Sequence, residues 1–386
     1  MGPGIIRSLI AVIGFVIIAI VLWDGFETIV SPRRVTRKMR LTRLFYRYTW
    51  RIWSATVYAI SSNKRNETYL SFYGPLSLLF LLSIWAAGLV LGFGLLHWAF
   101  GSSFSTAGLP AVLGEDMYLS GTNFFTLGLG DVVPRSIVGR LLTVVEAGLG
   151  FGFLALVIGY LPALNQSFSN REVIISMLDA RAGSPPTATE VLRRHGYDNG
   201  PEDLRQLLSV WERWSAELLE SHLSYPVLAY FRSQHDNQSW LSTLATILDT
   251  SCLVMAGLRG VCSHQAELTF AMARHAIVDL SIIFSTPPSG PDREDRLPAA
   301  ELKHLRAILA ETRLSFAEGT PVDHKLTELR HMYEPYLYSL ADHLCLSIPP
   351  WIPGVTFRDN WETSAWGRVA AGTKKVVRQD YRHRHF

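Results

Sequence analysis

The chain has 386 residues, 48% of them apolar, and a formal net charge of +3, which gives room for about two domains. That charge is too small to argue for nucleic acid as a partner. The three cysteines, Cys252, Cys262 and Cys345, form no Cys-x-x-Cys pair and are expected to be free thiols. Apolar residues are unevenly spread, with three long runs in the first 165 positions and a remainder that reads as soluble.

Residues 8–23 are uncharged and rich in Ile, Val, Ala and Leu. Extended to position 30, the run is long enough to span a bilayer. No small-residue cleavage site precedes Asp24, so a retained first helix is expected, with Asp24 and Glu27 at the membrane interface. Eight basic residues follow without one acid: Arg33, Arg34, Arg37, Lys38, Arg40, Arg43, Arg47 and Arg51. Interleaved Leu41, Leu44, Phe45, Tyr48, Trp50, Ile52 and Trp53 make this an expected amphipathic helix in the headgroups of anionic lipid. Dense Lys and Arg hold a segment on the cytoplasmic side, so the N-terminus is expected outside.

From 69 to 100 there is no charge apart from a possible one at His97, and a second span running outward is expected. After a loop rich in Gly, Ser and Pro, Glu115 and Asp116 open a run of about 11 residues, too short to cross a bilayer. Acids at its start complement the positive helix end, and its negative end would point into the membrane, as a re-entrant helix requires. Directly after it comes Thr126-Leu127-Gly128-Leu129-Gly130-Asp131. A third span is expected from Ser136, a candidate N-cap, to about Asn165, interrupted only by Glu146. For Glu146 two readings stand: a hydrogen-bonded brace behind the short helix, or a group used in pH sensing or permeation.

The hexapeptide, the short helix before it and the Val138-Gly139-Arg140 start of the third span resemble the pore unit of the potassium-channel family, as in prokaryotic two-transmembrane channels. The resemblance covers residues 70–165. It implies a selectivity filter in which the carbonyls of Thr126 to Gly130 and the Thr126 hydroxyl coordinate potassium as the permeant ion, with Asp131 at the outer mouth. One filter segment per chain then implies a homotetramer. Gly150 falls where the family often has its gating-hinge glycine, and Pro162 would loosen the same helix lower down. Three positions depart from the pattern. Phe125, directly before Thr126, stands where the family usually has Thr and is expected to pack behind the filter rather than narrow the cavity. Leu129 replaces the usual Tyr or Phe, as in the second pore loop of some two-pore-domain potassium channels. Thr122 stands nine residues before Asp131, where some members have a Glu bonded to that Asp.

Beyond 170 the chain reads as helical: one helix opening at Pro201, buried helices over 239–258 and 264–284, and amphipathic helices over 299–317 and 323–346. No dinucleotide fingerprint, cyclic-nucleotide barrel or EF-hand loop is present in the sequence, so the regulatory ligand is unassigned and no cofactor is expected. The absence of a nucleophile elbow or zinc signature argues against an enzyme. His324, Glu328 and His331 share one helical face and form a weak candidate metal cluster, with a solvated face the simpler reading. Residues 221–240 form a polar-aromatic region of unassigned chemistry. The 351–386 tail is aromatic and then basic, and two readings stand for it: contact with the anionic inner leaflet, or disorder.

The sequence therefore predicts an all-α membrane protein of a plasma (inner) membrane. It has an N-terminal helix and basic interfacial segment (1–68), a pore domain (69–168), a helical cytoplasmic regulatory domain (169–350) and a tail (351–386). Its partners are further copies of itself and anionic lipid, the latter through Arg33, Arg34, Arg37, Lys38 and Arg40. The function expected is a potassium-selective channel. A weakly selective sodium and potassium channel, and a non-conducting sensor or scaffold, remain open.

Overall fold

A computed structural model of the chain describes residues 3–30, 40–60, 63–100, 103–105, 112–234, 238–258, 263–290, 293–314 and 316–354. Arg33, Arg34, Arg37, Lys38, Cys262 and the tail beyond 354 lie outside the described residues. The protein is an all-α membrane protein; among the described residues its one strand pair, Ser103–Ser105 against Val132–Pro134, is three residues long. Contacts divide it into two compact units, Met1–Ser169 with Glu220–Arg232, and Asn170–Leu219 with Ser233–Phe386.

In the first unit, α1 (Pro3–Gly25) ends in a π-helical turn, Phe26–Val30. It is followed by α2 (Leu41–Ile60), α3 (Asn63–Ser71), α4 (Tyr73–Phe100), α5 (Leu113–Phe124) and α6 (Ile137–Ala182). Glycines let α1 and α4 touch. A Cβ on Gly14 would stand 2.7 Å from the Gly92 carbonyl, and one on Gly92 would stand 2.6 Å from Ile18. Small residues at the seam bring backbones together where lipid offers no hydrophobic drive between helices. Asp24, expected at the interface, does not face outward from the protein. It is buried, accepts from the Thr42 amide (3.2 Å), the Thr42 hydroxyl (2.6 Å) and the Trp85 indole (3.0 Å), and so ties the end of α1 to the start of α2 and to α4. A carboxylate removed from water needs such donors. Arg40, expected on lipid, turns back onto Glu27 (3.4 Å) and the Thr28 hydroxyl (3.1 Å).

Ser136 caps α6, its hydroxyl accepting from the Gly139 amide at 3.0 Å. The helix then runs past the expected end near Asn165, for 46 residues in all, with Pro162 inside it. At 1.5 Å per residue this is about 70 Å, well over twice a hydrocarbon core.

The second unit contains α7 (Ala188–Arg194), α8 (Gly200–Ser224, whose end belongs to the first unit), α9 (Trp240–Gly257), α10 (Ser263–Phe284), α11 (Ala299–Ala310), α12 (Thr320–His331) and α13 (Glu334–Leu344). Among the described residues four helices are long and apolar enough to cross a membrane, and α9 is one of them. Yet 89% of its span is buried within the protein, and it packs on α7, α10, α12 and α13. A helix apolar all round belongs either in lipid or at the centre of a bundle, and α9 is at the centre. Arg296 clamps it: the guanidinium meets Asp249 of α9 (2.7 Å), Glu334 of α13 (3.1 Å) and the Pro349 carbonyl (2.9 Å). The helix expected over 323–346 is two helices, broken at Met332 and Tyr333, because Tyr333 turns inward and its hydroxyl donates to Asp249. Likewise the helix expected over 299–317 stops at Ala310, where the Thr312 amide and hydroxyl both turn back to the Leu309 carbonyl.

α7 sets an acid sensitivity for this unit. His195 at its end is buried, and burial pushes its imidazole below the ordinary 6.5, against a bond of its Nδ1 to the Val191 carbonyl. The unfolded chain therefore takes up a proton near pH 6.5 while the folded chain does not, so stability falls as pH drops through that value and until the folded imidazole also protonates. The urea midpoint of the full-length protein should be lower at pH 5.5 than at pH 7.5, and the drop should shrink in His195→Gln. An unchanged or higher midpoint at pH 5.5 would contradict this.

Candidate functional site

The site is built at the C-terminal end of α5. Glu115 in its first turn accepts from the Val112 amide (3.0 Å), which fixes the helix start. At the other end the helix does not fray into a loop. The amides of Phe125, Thr126 and Leu127 turn back to the carbonyls of Gly121 (3.0 Å), Asn123 (3.0 Å) and Thr122 (2.7 Å). The chain then alternates in hand. Thr126, Gly128 and Gly130 have φ of 57°, 57° and 78°, and Leu127 and Leu129 between them are not left-handed. In a strand successive carbonyls point to opposite sides; alternation of hand turns them toward one side, which is what a cation stripped of water needs. Glycine takes this conformation at little cost. Thr126, β-branched, does not, and strain of roughly 1–3 kcal/mol there is of the kind that functional sites hold. Residues 125–131 are all exposed on the single chain. At membrane depth non-helical backbone survives only where protein covers it or it lines a water path.

Asp131 accepts from the Val132 amide (3.1 Å) and is bonded by the hydroxyl of Tyr118, on α5. Thr122 does not reach it; its hydroxyl donates to the Leu119 carbonyl (2.9 Å). The sequence reading missed Tyr118. The available signal was its place on α5, one turn before Thr122 on the way to Asp131.

Glu146 lies on α6 and is fully buried. One oxygen accepts from the Ser120 hydroxyl of α5. The other faces His97 Nε2 of α4 (3.2 Å) and Asn123 Nδ2 of α5 (3.4 Å). One carboxylate thus joins α4, α5 and α6 directly behind the hexapeptide. Among the described residues the Nδ1 of His97 has no hydrogen-bond partner, so the bond through Nε2 orients the ring.

Gly150 is a point of contact. A Cβ there would lie 1.9 Å from the Phe124 carbonyl oxygen, so α6 passes against the last turn of α5. Phe153, a turn further on, meets the Phe124 ring at 5.7 Å. Pro162 sits inside α6 without ending it. The weak metal candidates are not assembled as a site. His324 and Glu328 are 3.4 Å apart and exposed, while His331 spends its Nδ1 on the Thr327 carbonyl (2.8 Å). Among the described residues no group of three His, Cys, Asp or Glu could hold a metal.

Residues 88–166 match the model of a family described as ion channel. That stretch takes in the second half of α4, all of α5, the hexapeptide and the apolar part of α6. A relative, the uncharacterized membrane protein YdjJ of Bacillus subtilis (strain 168), is 26% identical over 197 residues, which covers 49% of this chain and 55% of that protein. The chain thus spans about half the length of the relative it matches. No solved structure matches the chain. The chain is a membrane protein with an ion-channel-like stretch over residues 88–166.

Proposed function

We propose that the protein is a potassium-selective channel of four identical chains, with residues 126–131 as the filter, α4 as outer helix, α5 as pore helix and α6 as inner helix. The observation that carries this is the alternation of hand at Thr126, Gly128 and Gly130 immediately after a helix too short to span. In this reading the N-terminus is outside, residues after α6 are cytoplasmic, the membrane is a bacterial-type inner membrane, and basic residues near α2 meet anionic lipid. The chain conducts rather than catalyses, needs no cofactor, and potassium is its cargo. The cytoplasmic helical unit biases opening through a ligand that prefers one state. A second reading, weak discrimination between sodium and potassium, is favoured by Leu129, whose side chain carries no hydroxyl to brace the filter from behind.

Gly128→Ala tests it. A Cβ at Gly128 meets no atom of its own chain, so the damage is conformational: holding alanine at φ +57° costs about 1–2 kcal/mol in each of four subunits. Current across a planar bilayer should be lost while the protein still purifies as a tetramer. Conduction at the wild-type level would refute the filter, and a wild-type protein silent with or without residues 171–386 would favour the scaffold.

A further inference from the structure

The polar-aromatic region over 221–240 has a structural answer. Residues 220–232 belong to the first unit although the chain on both sides of them belongs to the second. The segment ends α8 and makes a tight 3-10 turn, Pro226–Tyr230, whose proline at the first position presets the backbone. Val227, Leu228, Ala229 and Tyr230 are all buried.

On one side the turn is fixed to α2 and α4. The Tyr230 ring stacks on Tyr46 (5.6 Å, 10° between planes) and stands edge-on to Tyr73 (5.2 Å). Phe231 fills the space left by Gly74, where a Cβ would come within 2.7 Å of its ring. On the other side the same few residues hold α6. Tyr225 packs edge-on against Tyr160 (5.3 Å), and Phe231 against Phe168 (5.6 Å). These two contacts flank Pro162. A proline within a helix removes one backbone hydrogen bond, so bending concentrates there. Any bend or rotation of α6 at Pro162 must break or drag the contacts at Tyr160 and Phe168, while Tyr230 keeps the turn pinned to α2 and α4.

We infer that Tyr225, Tyr230 and Phe231 are positioning residues for the C-terminal half of α6, and that they set the balance between its open and closed arrangements. This rests on the channel reading above. Because the chain enters and leaves this turn through the second unit, it is a covalent route from that unit to the inner helix besides the continuation of α6 itself past Ser169.

The experiment is single-channel recording of full-length Tyr230→Ala and Phe231→Ala in potassium. Losing a buried ring from such a cluster should change open probability at least about fivefold, with unit conductance and reversal potential unchanged. Tyr230→Phe keeps the stacking and should behave as wild type. Gly74→Ala, which displaces Phe231 without removing a ring, should shift open probability as Phe231→Ala does. Unchanged open probability in assembled Tyr230→Ala and Gly74→Ala channels overturns the inference, as does an altered reversal potential, which would place the effect at the filter. Should wild-type protein carry no current in any form, the channel reading falls and amide exchange judges the contact instead. Exchange over 160–168 faster by tenfold in Tyr230→Ala, with 113–124 unchanged, supports the positioning role; equal exchange in both proteins overturns it.

Discussion

Gly150→Ala should abolish current and lower the melting temperature of the assembled protein. The methyl group would sit 1.9 Å from the Phe124 carbonyl oxygen, far inside van der Waals contact. The obstacle is backbone at the last turn of α5 and cannot rotate aside. Either α6 or α5 must move, and the amides of Thr126 and Leu127 are bonded to carbonyls of that same turn. Overpacking of this kind costs about 1–3 kcal/mol or more per site, and here the displacement is delivered to the residues that would hold the ion. A hinge glycine predicts something else. Alanine in an open hinge changes how often the channel opens and leaves filter and stability nearly intact. Bilayer current together with a melting curve in detergent separates the two, and a stable, conducting Gly150→Ala with altered gating would restore the hinge.

The second large effect is expected at Glu146. Removing the carboxylate in Glu146→Ala leaves His97 Nε2 without a partner in a site with no access to water, and leaves the Ser120 hydroxyl only the Val90 carbonyl (2.7 Å) and the Asn123 amide only the Thr143 hydroxyl (3.4 Å). Each buried donor left without an acceptor costs on the order of 1–3 kcal/mol. The melting temperature should fall sharply, and, on the proposed function, the sodium-to-potassium permeability ratio should rise as α5 loosens behind residues 126–131. Glu146→Gln keeps an acceptor for Ser120 and should be much milder on both counts. Equal behaviour of the Ala and Gln variants would show that the bonds do not hold α5. A shift confined to pH dependence in Glu146→Gln would assign the residue to proton sensing instead.

The contrast between Gly150 and Ser136 shows what the sequence could and could not say. Ser136, the acids opening α5 and the length of that helix are local facts, and local hydrogen bonding decides them, so they were legible. Gly150 was legible only as a glycine at a suggestive spacing. Whether it bends or touches depends on what lies against it, and that is tertiary. The same holds for Tyr118, whose bond to Asp131 closes a loop of the chain that no periodicity reports. The role of Asp24 as a tie between helices was not legible because its donors, Thr42 and Trp85, come from elements 18 and 61 residues away. α6 was ended too early because polar residues after Asn165 suggest a boundary of the membrane, which is not a boundary of the helix. In the second unit the break at Met332 and Tyr333 follows from one buried hydroxyl seeking Asp249, a demand of the core. His324, Glu328 and His331 share the helix α12, but a shared helix is not a shared ligand.

The most direct test of the central claim is the reversal potential of purified wild-type protein in a planar bilayer with opposed potassium and sodium gradients. If residues 126–131 form a selective filter, the current reverses near the potassium equilibrium potential. Current that reverses near zero would contradict potassium selectivity and assign the loss of discrimination to Leu129.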